Sequence, residues 1–327
     1  MAADNKVLVL GATGGIGNEM ARQLRDRGWA VQALRRSKPQ ASCINDGITW
    51  IDGDASRRDD VMAAAQGCSV IIHAVNPPGY RRWETLVLPM LDNTIAAAKA
   101  QGATIVLPGT VYNFGPDAFP ILREDSPQQP KTRKGEIRVE MERRMRLATT
   151  QGSRVIIVRA GDFFGPTSGN SWFAQGLVKP GKAVAKVSLP GAPGVGHQWA
   201  YIPDVAHTMI NLIERREDLL PFAVFHMAGH WDADGMQMAE AICRVVTGRG
   251  GKQPKLHPFP WWLIRLTSPF IETFRELLEM RYLWSSLVRM SNTHLQATIG
   301  QELHTPLDQA IEATLEGLGC LPSNTRP

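Results

Sequence analysis

The sequence predicts an α/β fold with a doubly wound parallel sheet and a smaller C-terminal lobe. The first observation is an apolar run at residues 7–10, followed by Ile16, Met20 and Leu24 at helical spacing. The second is that strand-like runs alternate with helical patterns over about the first 160 residues, which is typical of right-handed crossovers between parallel strands. The third is a change of rhythm beyond Gly165, where proline and glycine clusters indicate a loop-rich lobe.

Residues 7–17 read VLVLGATGGIG, a buried strand that runs into glycines spaced G-x-x-G-x-x-G. Gly11 allows a tight turn, Gly14 lets a pyrophosphate approach the backbone, and Gly17 lets the following helix pack close to the sheet. The open N–H groups and the dipole at the helix start favour phosphate. The candidate cofactor contacts here are Gly11, Thr13, Gly14, Gly15, Ile16 and Gly17. The stretch therefore predicts a dinucleotide site.

The remaining elements follow in order along the chain. Strand-like runs occupy residues 29–34, 48–51, 69–73, 104–107, 154–158, 183–187 and 224–227. Helical patterns occupy residues 61–65, 88–98, 137–145 and 205–213. The last helix and the last strand are expected to return from the lobe to the main sheet.

An aromatic-rich helical pattern occupies residues 261–284. Polar interruptions such as Arg265, Glu272 and Glu276 exclude a spanning helix, which needs about 20 apolar residues. We interpret the stretch as lobe packing on an apolar cleft. The alternatives are a dimer face or a face that lies on a membrane surface.

Composition excludes several classes of function. With 327 residues, of which 43% are hydrophobic, the chain is long enough to bury a large core. The net charge is +5, but the basic doublets are dispersed, so we expect no nucleic-acid partner. The four cysteines, Cys43, Cys68, Cys243 and Cys320, lie far apart, which predicts neither a disulfide framework nor a metal site. The first residues lack a signal-peptide pattern, so we expect a cytoplasmic protein without a membrane partner.

Several short motifs occur in a fixed order. They are GATGGIG (11–17), DGD (52–54), VIIHAV (70–75), TVYNFG (110–115), VRAGDFFGP (158–166), YIPDVA (201–206) and TPLDQAI (305–311). Together they make the chain resemble the extended short-chain dehydrogenase/reductase family, which includes NAD-dependent epimerases and dehydratases. The resemblance implies a Rossmann-type dinucleotide-binding domain over residues 1–165. It implies a mainly substrate-binding lobe over residues 166–327, with 200–228 returning to the first domain.

The end of the second strand indicates which cofactor binds. An acid at this position would bind the ribose hydroxyl of NAD, whereas arginine accommodates the 2′-phosphate of NADP. The chain has Arg35 and Arg36 there and no acid, which favours NADP and leaves NAD as the alternative. By resemblance, Asp54 would contact adenine and Ala74 would line the cofactor cleft. Ala55 and Val75 are further candidate cofactor contacts.

The catalytic pattern departs from the family. Relatives carry Y-x-x-x-K followed four residues later by an acid, whereas residues 132–142 read TRKGEIRVEME. Placing Glu142 on that acid puts Lys134 at the tyrosine position and Arg138 at the lysine position. Arg138 retains the ability to donate to ribose hydroxyls but cannot act as a base. Lys134 acts as an acid only if burial and Arg138 lower its pKa. The alternative is that Lys134 has no catalytic role and belongs to a solvated, basic start of the helix.

Thr110 and Tyr112 are the other catalytic candidates. Thr110 lies 24 residues before Lys134, near the spacing at which relatives place the hydroxyl that orients the substrate oxygen. This assignment holds if Asn113-Phe114-Gly115 occupies the place of the family's V-Y-G motif. If Val111-Tyr112 begins that motif instead, the hydroxyl position falls on Pro108 and the hydroxyl is lost. Tyr112 would share the face of Thr110 and is the second candidate acid, with a packing role as the alternative. The other tyrosines are Tyr80, Tyr201 and Tyr282, and none precedes a lysine by four.

Substrate contacts are expected beyond the carboxyl ends of the strands. The candidates are Asp162, Phe163, Phe164, Asn170, Trp172, His197 and Trp199. His197 is a further candidate proton donor, with polar surface as the alternative. We expect Asp204 to cap the helix that follows it.

Two functions fit these patterns. One is an NADP(H)-binding oxidoreductase or epimerase that acts on a small carbonyl, hydroxyl or sugar-type substrate with a non-standard proton donor. The other is a non-catalytic NADP(H)-binding redox sensor. By resemblance, the helices near residues 88–101 and 135–150 would form a homodimer.

Overall fold

The computed structural model describes residues 5–36, 43–77 and 83–321; Tyr80 lies outside these ranges. The strands are β1 (Lys6–Leu10), β2 (Ala30–Arg35), β3 (Cys43–Asn45), β4 (Ile48–Asp52), β5 (Val70–His73), β6 (Thr104–Gly109), β7 (Ile121–Leu122), β8 (Arg154–Arg159), β9 (Asp162–Phe164), β10 (Lys186–Leu189), β11 (His197–Tyr201), β12 (Phe222–His226), β13 (His230–Asp232), β14 (Lys255–Pro258) and β15 (Arg289–Met290). The helices are α1 (Gly15–Asp26), α2 (Arg58–Ala64), α3 (Trp83–Gln101), α4 (Arg133–Thr149), α5 (Ile202–Glu214), α6 (Gln237–Gly248), α7 (Trp261–Thr267), α8 (Glu272–Met280), α9 (Thr293–Ile299) and α10 (Leu307–Gly317). A π-helix spans Phe173–Leu177, and a 3₁₀-helix spans Arg281–Trp284.

The central sheet has eight strands in the order β12-β8-β6-β5-β1-β2-β4-β3. Every neighbouring pair is parallel except β3 and β4, which form an antiparallel edge. The chain moves outward from β1 in one direction through β2 and β4, and then in the other through β5, β6, β8 and β12. The predicted doubly wound α/β fold is confirmed, and its direction reverses between β1 and β5. A crevice at such a reversal is where open α/β sheets bind ligands.

Both faces of the sheet are covered by helices, which is why β1 is a continuous apolar run. Val7 and Val9 pack on the side of α1 and α5, whereas Leu8 and Leu10 pack on the side of α2, α3 and α4. All four side chains are fully buried. Burying each contributes about 1.5–3 kcal/mol, so this strand holds the two helical layers together.

A second, three-stranded sheet forms from β9, β11 and β13. His197 begins β11 and its side chain is 12% exposed, so the alternative of polar surface at His197 is wrong. The strand predicted at 183–187 lies about three residues later, as β10 in a separate two-stranded sheet with β14. β11 pairs on one side with β9 (Trp199 with Asp162) and on the other with β13 (Trp199 with His230). These partners are over thirty residues away along the chain, so no local pattern reveals them.

The aromatic stretch is not one helix. It divides into α7, α8 and the 3₁₀-helix, and Trp284 is buried against Trp172 with ring centroids 5.1 Å apart. Lobe packing therefore accounts for Trp284. Trp262 and Phe270, by contrast, are 71% and 88% exposed. Among the described residues no helix is long and apolar enough to cross a membrane.

Candidate functional site

A cleft of about 440 Å³ lies at the carboxyl ends of the central strands, within the size range of small-molecule sites. The predicted cofactor contacts that line it are Gly11, Thr13, Gly14, Gly15, Ile16, Arg35, Arg36, Asp54, Ala55, Ala74, Val75 and Arg138. Of the predicted catalytic and substrate residues, the cleft is lined by Thr110, Tyr112, Arg138, Phe163 and Asn170. Residues from eight separate stretches of the chain thus meet at the reversal of the sheet.

The glycine turn at the centre of the cleft leaves no room for side chains. Gly11 has φ +88°, and a Cβ there would lie 2.5 Å from the carbonyl oxygen of Ala74. Gly17 lies beneath the turn, where a Cβ would lie 2.2 Å from the carbonyl oxygen of Gly11. Bare backbone therefore faces the cleft where α1 begins, and this cradle fits the pyrophosphate of a dinucleotide.

Two arginines line the end of the cleft at β2. Arg35 donates from Nε to Asp52 Oδ1 at 3.3 Å, and its guanidinium lies 5.4 Å from the ring centroid of Trp50. Arg36 is exposed. Asp54 lies beside them after β4, and its Oδ1 accepts from the Ser56 N–H at 2.8 Å. Two guanidinium groups and two carboxylates therefore meet at this end of the cleft.

The opposite end of the cleft lies across β5 and β6 and contains the catalytic candidates. Thr110 Oγ1 accepts a hydrogen bond from the Tyr112 N–H at 3.3 Å. Tyr112 is 8% exposed and packs in a cluster with Phe114 and Met280 while it also lines the cleft. The predicted acid role and the predicted packing role are thus compatible in one residue. Arg138 enters from α4, with its guanidinium 5.2 Å from the ring centroid of Trp83.

Lys134 does not line the cleft beside these residues. α4 starts where Thr132 Oγ1 accepts from the Gly135 N–H at 3.1 Å, and Lys134 lies in the first turn. Its Nζ lies 3.0 Å from Glu276 Oε2 of α8, and its side chain is only 4% exposed. Burial lowers the pKa of Lys134, and the hydrogen bond and charge of Glu276 oppose that shift. The expectation of a solvated helix start at Lys134 is wrong, and the ammonium is not among the groups that line the cleft.

Five substrate candidates lie outside the lining of the cleft: Asp162, Phe164, Trp172, His197 and Trp199. Phe164 is fully buried among aromatic rings of the lobe. His197 Nε2 lies 2.8 Å from Asp162 Oδ2, and the imidazole stacks on Trp284 at 3.8 Å between centroids. The structure therefore pairs Asp162 with His197 inside the lobe and brings only Phe163 and Asn170 to the cleft.

Asp204 also differs from expectation. α5 begins at Ile202, so Asp204 lies within its first turn and does not cap it. Its two carboxylate oxygens accept from the Thr305 N–H at 2.8 Å and from Thr305 Oγ1 at 2.7 Å. Asp204 therefore joins α5 to the segment that leads into α10.

A buried ionic network that the sequence analysis missed lies behind the cleft. Arg159 Nη2 donates to Glu142 Oε2 at 2.6 Å, and Arg159 Nη1 contacts His226 Nε2 at 2.8 Å. Gln128 donates to Glu142 at 3.0 Å and accepts from Asn113 at 3.2 Å. The network thus links β8 and β12 to the loop that carries Thr110 and Tyr112. The signal in the sequence was the arginine that ends the apolar run at 154–158.

His73 is a second residue that was missed. It ends β5, is 2% exposed and lines the cleft, and one ring nitrogen lies 2.8 Å from Thr94 Oγ1. A polar residue at the carboxyl end of a buried parallel strand was the available signal. In the described ranges no cluster of three or more His, Cys, Asp or Glu residues forms a metal site.

We expect acid to destabilise the fold before its carboxylates titrate. Burial lowers the pKa of His73 and of His226 to about 3, and that of His230 to about 4. Unfolded histidine titrates near ~6.5, so on acidification the unfolded chain takes up protons that the folded chain does not. The free energy of unfolding should fall below about pH 6.5, by up to about 1.4 kcal/mol per pH unit for each histidine.

Urea titrations between about pH 7 and about pH 5 measure this slope. His226→Gln should reduce this slope by up to about 1.4 kcal/mol per pH unit, the contribution of one histidine. His257→Gln, a substitution at an exposed position of β14, should preserve it. Stability that stays constant or rises on acidification would contradict the prediction.

The fold and the glycine cradle define a dinucleotide-binding protein of the Rossmann type. Residues 7–228 match the model of the NAD dependent epimerase/dehydratase family, and the chain belongs to that family of enzymes. This confirms the resemblance that the motifs indicated.

Three relatives illustrate the similarity. An uncharacterised protein of Sinorhizobium fredii, y4nL, is 28% identical over 54% of this chain, and the match spans only 56% of that protein. A 3-diazoavenalumate denitrifying reductase of a Streptomyces species is 26% identical over 64% of this chain and 72% of its own length. UDP-glucuronic acid 4-epimerase from Bacillus cereus, solved with UDP-glucuronic acid and NAD, superposes with a TM-score of 0.70, at 15% identity, over 96% of this chain and 98% of that enzyme. The last similarity establishes the shared fold.

Proposed function

We propose that this chain is an NADP(H)-dependent oxidoreductase or epimerase that acts on a small carbonyl, hydroxyl or sugar-type substrate with Tyr112 as its proton donor. The observation that carries the proposal is the convergence of Thr110, Tyr112 and Arg138 on the cleft that contains the glycine cradle. The wall beside them includes Phe163 and Asn170, so a substrate next to this group meets one apolar and one amide side chain.

The bound cofactor would supply or accept a hydride. The chain's own residues would bind the cofactor, orient the substrate oxygen and transfer the proton. The glycine cradle holds the pyrophosphate, and Arg35 and Arg36 hold the 2′-phosphate. Arg138 donates to ribose hydroxyls, and its positive charge favours the phenolate form of a nearby phenol. Thr110 Oγ1 orients the substrate oxygen, and the Tyr112 hydroxyl exchanges a proton with that oxygen.

The choice of NADP(H) predicts a phosphate-specific loss of affinity. In the Arg35→Ala/Arg36→Ala variant, NADPH should bind about 10- to 100-fold more weakly, because the equivalent of one charge-assisted hydrogen bond, about 1.5–3 kcal/mol, is lost. Affinity for NADH should change little. Fluorescence titration measures both. The matched control is Arg57→Ala/Arg58→Ala, an exposed basic doublet that does not line the cleft. Tighter binding of NADH than of NADPH by the unaltered protein would contradict the choice.

Turnover is tested by incubating the full chain with NADPH and a panel of carbonyl compounds and nucleotide sugars while NADPH absorbance is followed. Substrate-dependent oxidation supports the oxidoreductase, and epimerised product without net oxidation supports the epimerase. The Lys134–Glu276 ion pair favours a second candidate, a non-catalytic NADP(H)-binding sensor, because it places the residue aligned with the family tyrosine in a structural contact. Tight NADPH binding without turnover across the panel would support that candidate.

A further inference from the structure

His73 lines the cleft, and no part of the proposed mechanism uses it. The imidazole lies at the carboxyl end of β5, and Leu10 of β1 is its neighbour across the ladder. One ring nitrogen, Nδ1, contacts Thr94 Oγ1 of α3 at 2.8 Å. The other, Nε2, has no hydrogen-bond partner in the part of the chain that the structure describes, although the residue is only 2% exposed and lines the cleft.

The contacts of Thr94 support one assignment of the proton on the His73 ring. Thr94 Oγ1 donates to the Met90 carbonyl at 3.1 Å, as a threonine within a helix does when it bonds the preceding turn. Its hydroxyl proton is therefore used, and it can only accept from His73. Nδ1 must then be the N–H donor, which leaves Nε2 with a lone pair and no proton in the neutral ring.

The ring stays neutral at ordinary pH. Burial lowers the pKa of His73 to about 3, and the positive charge of Arg138 contributes to the shift. His73 is therefore an acceptor at Nε2 over the whole neutral range, and it does not act as a proton donor there.

The strand order places His73 along the cleft. β2 and β4, with the two arginines and Asp54, lie on one side of the glycine turn of β1, whereas β5 and β6 lie on the other. A dinucleotide with its 2′-phosphate at the arginines and its pyrophosphate on the turn extends its nicotinamide half over β5. Arg138, which can only donate, lies near enough for its charge to affect His73.

We propose that His73 Nε2 accepts a hydrogen bond from a hydroxyl of the ribose next to the nicotinamide. The assignment rests on the proposed NADP(H) function. A sugar hydroxyl both donates and accepts, so a donor-only arginine beside an acceptor-only imidazole matches it on both counts. The chemical class recognised at this position is a sugar hydroxyl.

Two substitutions separate the two nitrogens of the ring. His73→Asn keeps an N–H near the position of Nδ1 and can preserve the bond to Thr94, but it removes the acceptor at Nε2. His73→Gln places an amide oxygen near the position of Nε2 and restores the acceptor. Two probes separate the two halves of the cofactor: NADPH, and 2′,5′-ADP, which lacks the nicotinamide ribose.

In His73→Asn, NADPH should bind about 3- to 10-fold more weakly, while the affinity for 2′,5′-ADP stays unchanged. His73→Gln should recover most of the NADPH affinity. Isothermal titration gives all six constants, and the ratio of the two affinities within each variant corrects for any loss of folded protein.

An unchanged ratio in His73→Asn, or an equal loss for both probes, would overturn the assignment. So would a His73→Gln variant that binds NADPH no better than His73→Asn. If the unaltered protein binds neither probe, the proposed cofactor is wrong and the assignment falls with it. If the unaltered protein binds both probes but the ratio of the NADPH affinity to the 2′,5′-ADP affinity is unchanged in His73→Asn, only the assignment of His73 is wrong.

Discussion

Replacing Arg159 with methionine should lower the free energy of unfolding by about 3–5 kcal/mol. Arg159 is 1% exposed and is paired with Glu142, whose side chain is 8% exposed. Methionine fills much of the volume of the arginine stem but leaves the Glu142 carboxylate buried without its counter-charge. The penalty comes from the carboxylate that remains.

The double variant Arg159→Met/Glu142→Met tests that reason, because removing both charges should recover most of the lost stability. The surface control is Arg143→Met, which breaks a pair with Glu140 in which the arginine is 62% exposed. That change should cost at most about 1 kcal/mol. Urea unfolding monitored by circular dichroism measures all three variants. A single Arg159→Met variant within about 1 kcal/mol of the unaltered protein would show that the pair is not electrostatically important.

Tyr112→Phe should lower kcat by about 10²- to 10⁴-fold, the usual contribution of a positioned general acid or base, on any substrate found to turn over. The ring remains in its cluster with Phe114 and Met280, so folding and NADPH affinity should be retained. Stopped-flow kinetics and a binding titration separate the two effects.

The matched control is Tyr201→Phe, which removes the hydroxyl of a buried tyrosine outside the cleft and should leave kcat unchanged. Lys134→Met tests the competing acid. Two results together would assign the proton donor to Lys134. They are a Lys134→Met variant that loses turnover but keeps its NADPH affinity and melting temperature, and a Tyr112→Phe variant that stays active.

The parts of the fold that could be predicted are those with local causes. Residues 7–17 combine a buried strand, a glycine turn and an amphipathic helix in one continuous stretch, so their pattern alone specifies β1 and α1. The same holds for β5, β6 and β8, whose burial on both faces makes each a continuous apolar run. The doubly wound sheet follows from these runs and the helices between them.

The parts that could not be predicted depend on distant partners. His197 and Trp199 stand in a glycine-rich stretch, and only pairing with β9 and β13 makes that stretch a strand. Lys134 looked solvated because its counter-ion, Glu276, lies in another lobe of the molecule. The placement of Lys134 in the cleft rested on aligning it with the family tyrosine, but its ammonium pairs with the partly buried Glu276 carboxylate instead.

Thr110, Tyr112 and Arg138 show the intermediate case. Sequence spacing was enough to bring them to one cleft, because each lies close to the carboxyl end of a parallel strand or at the start of the adjoining helix. Which of them transfers a proton depends on a ligand pose that spacing does not contain.

The Lys134–Glu276 pair also limits which side chains position 134 can accept. A tyrosine at position 134 would leave the Glu276 carboxylate, 20% exposed, facing a phenol in place of an ammonium. The Glu279 carboxyl nearby already has a pKa raised by burial and by Glu276, so the region tolerates little additional negative charge. A stable tyrosine at position 134 would therefore require a coordinated substitution in α8.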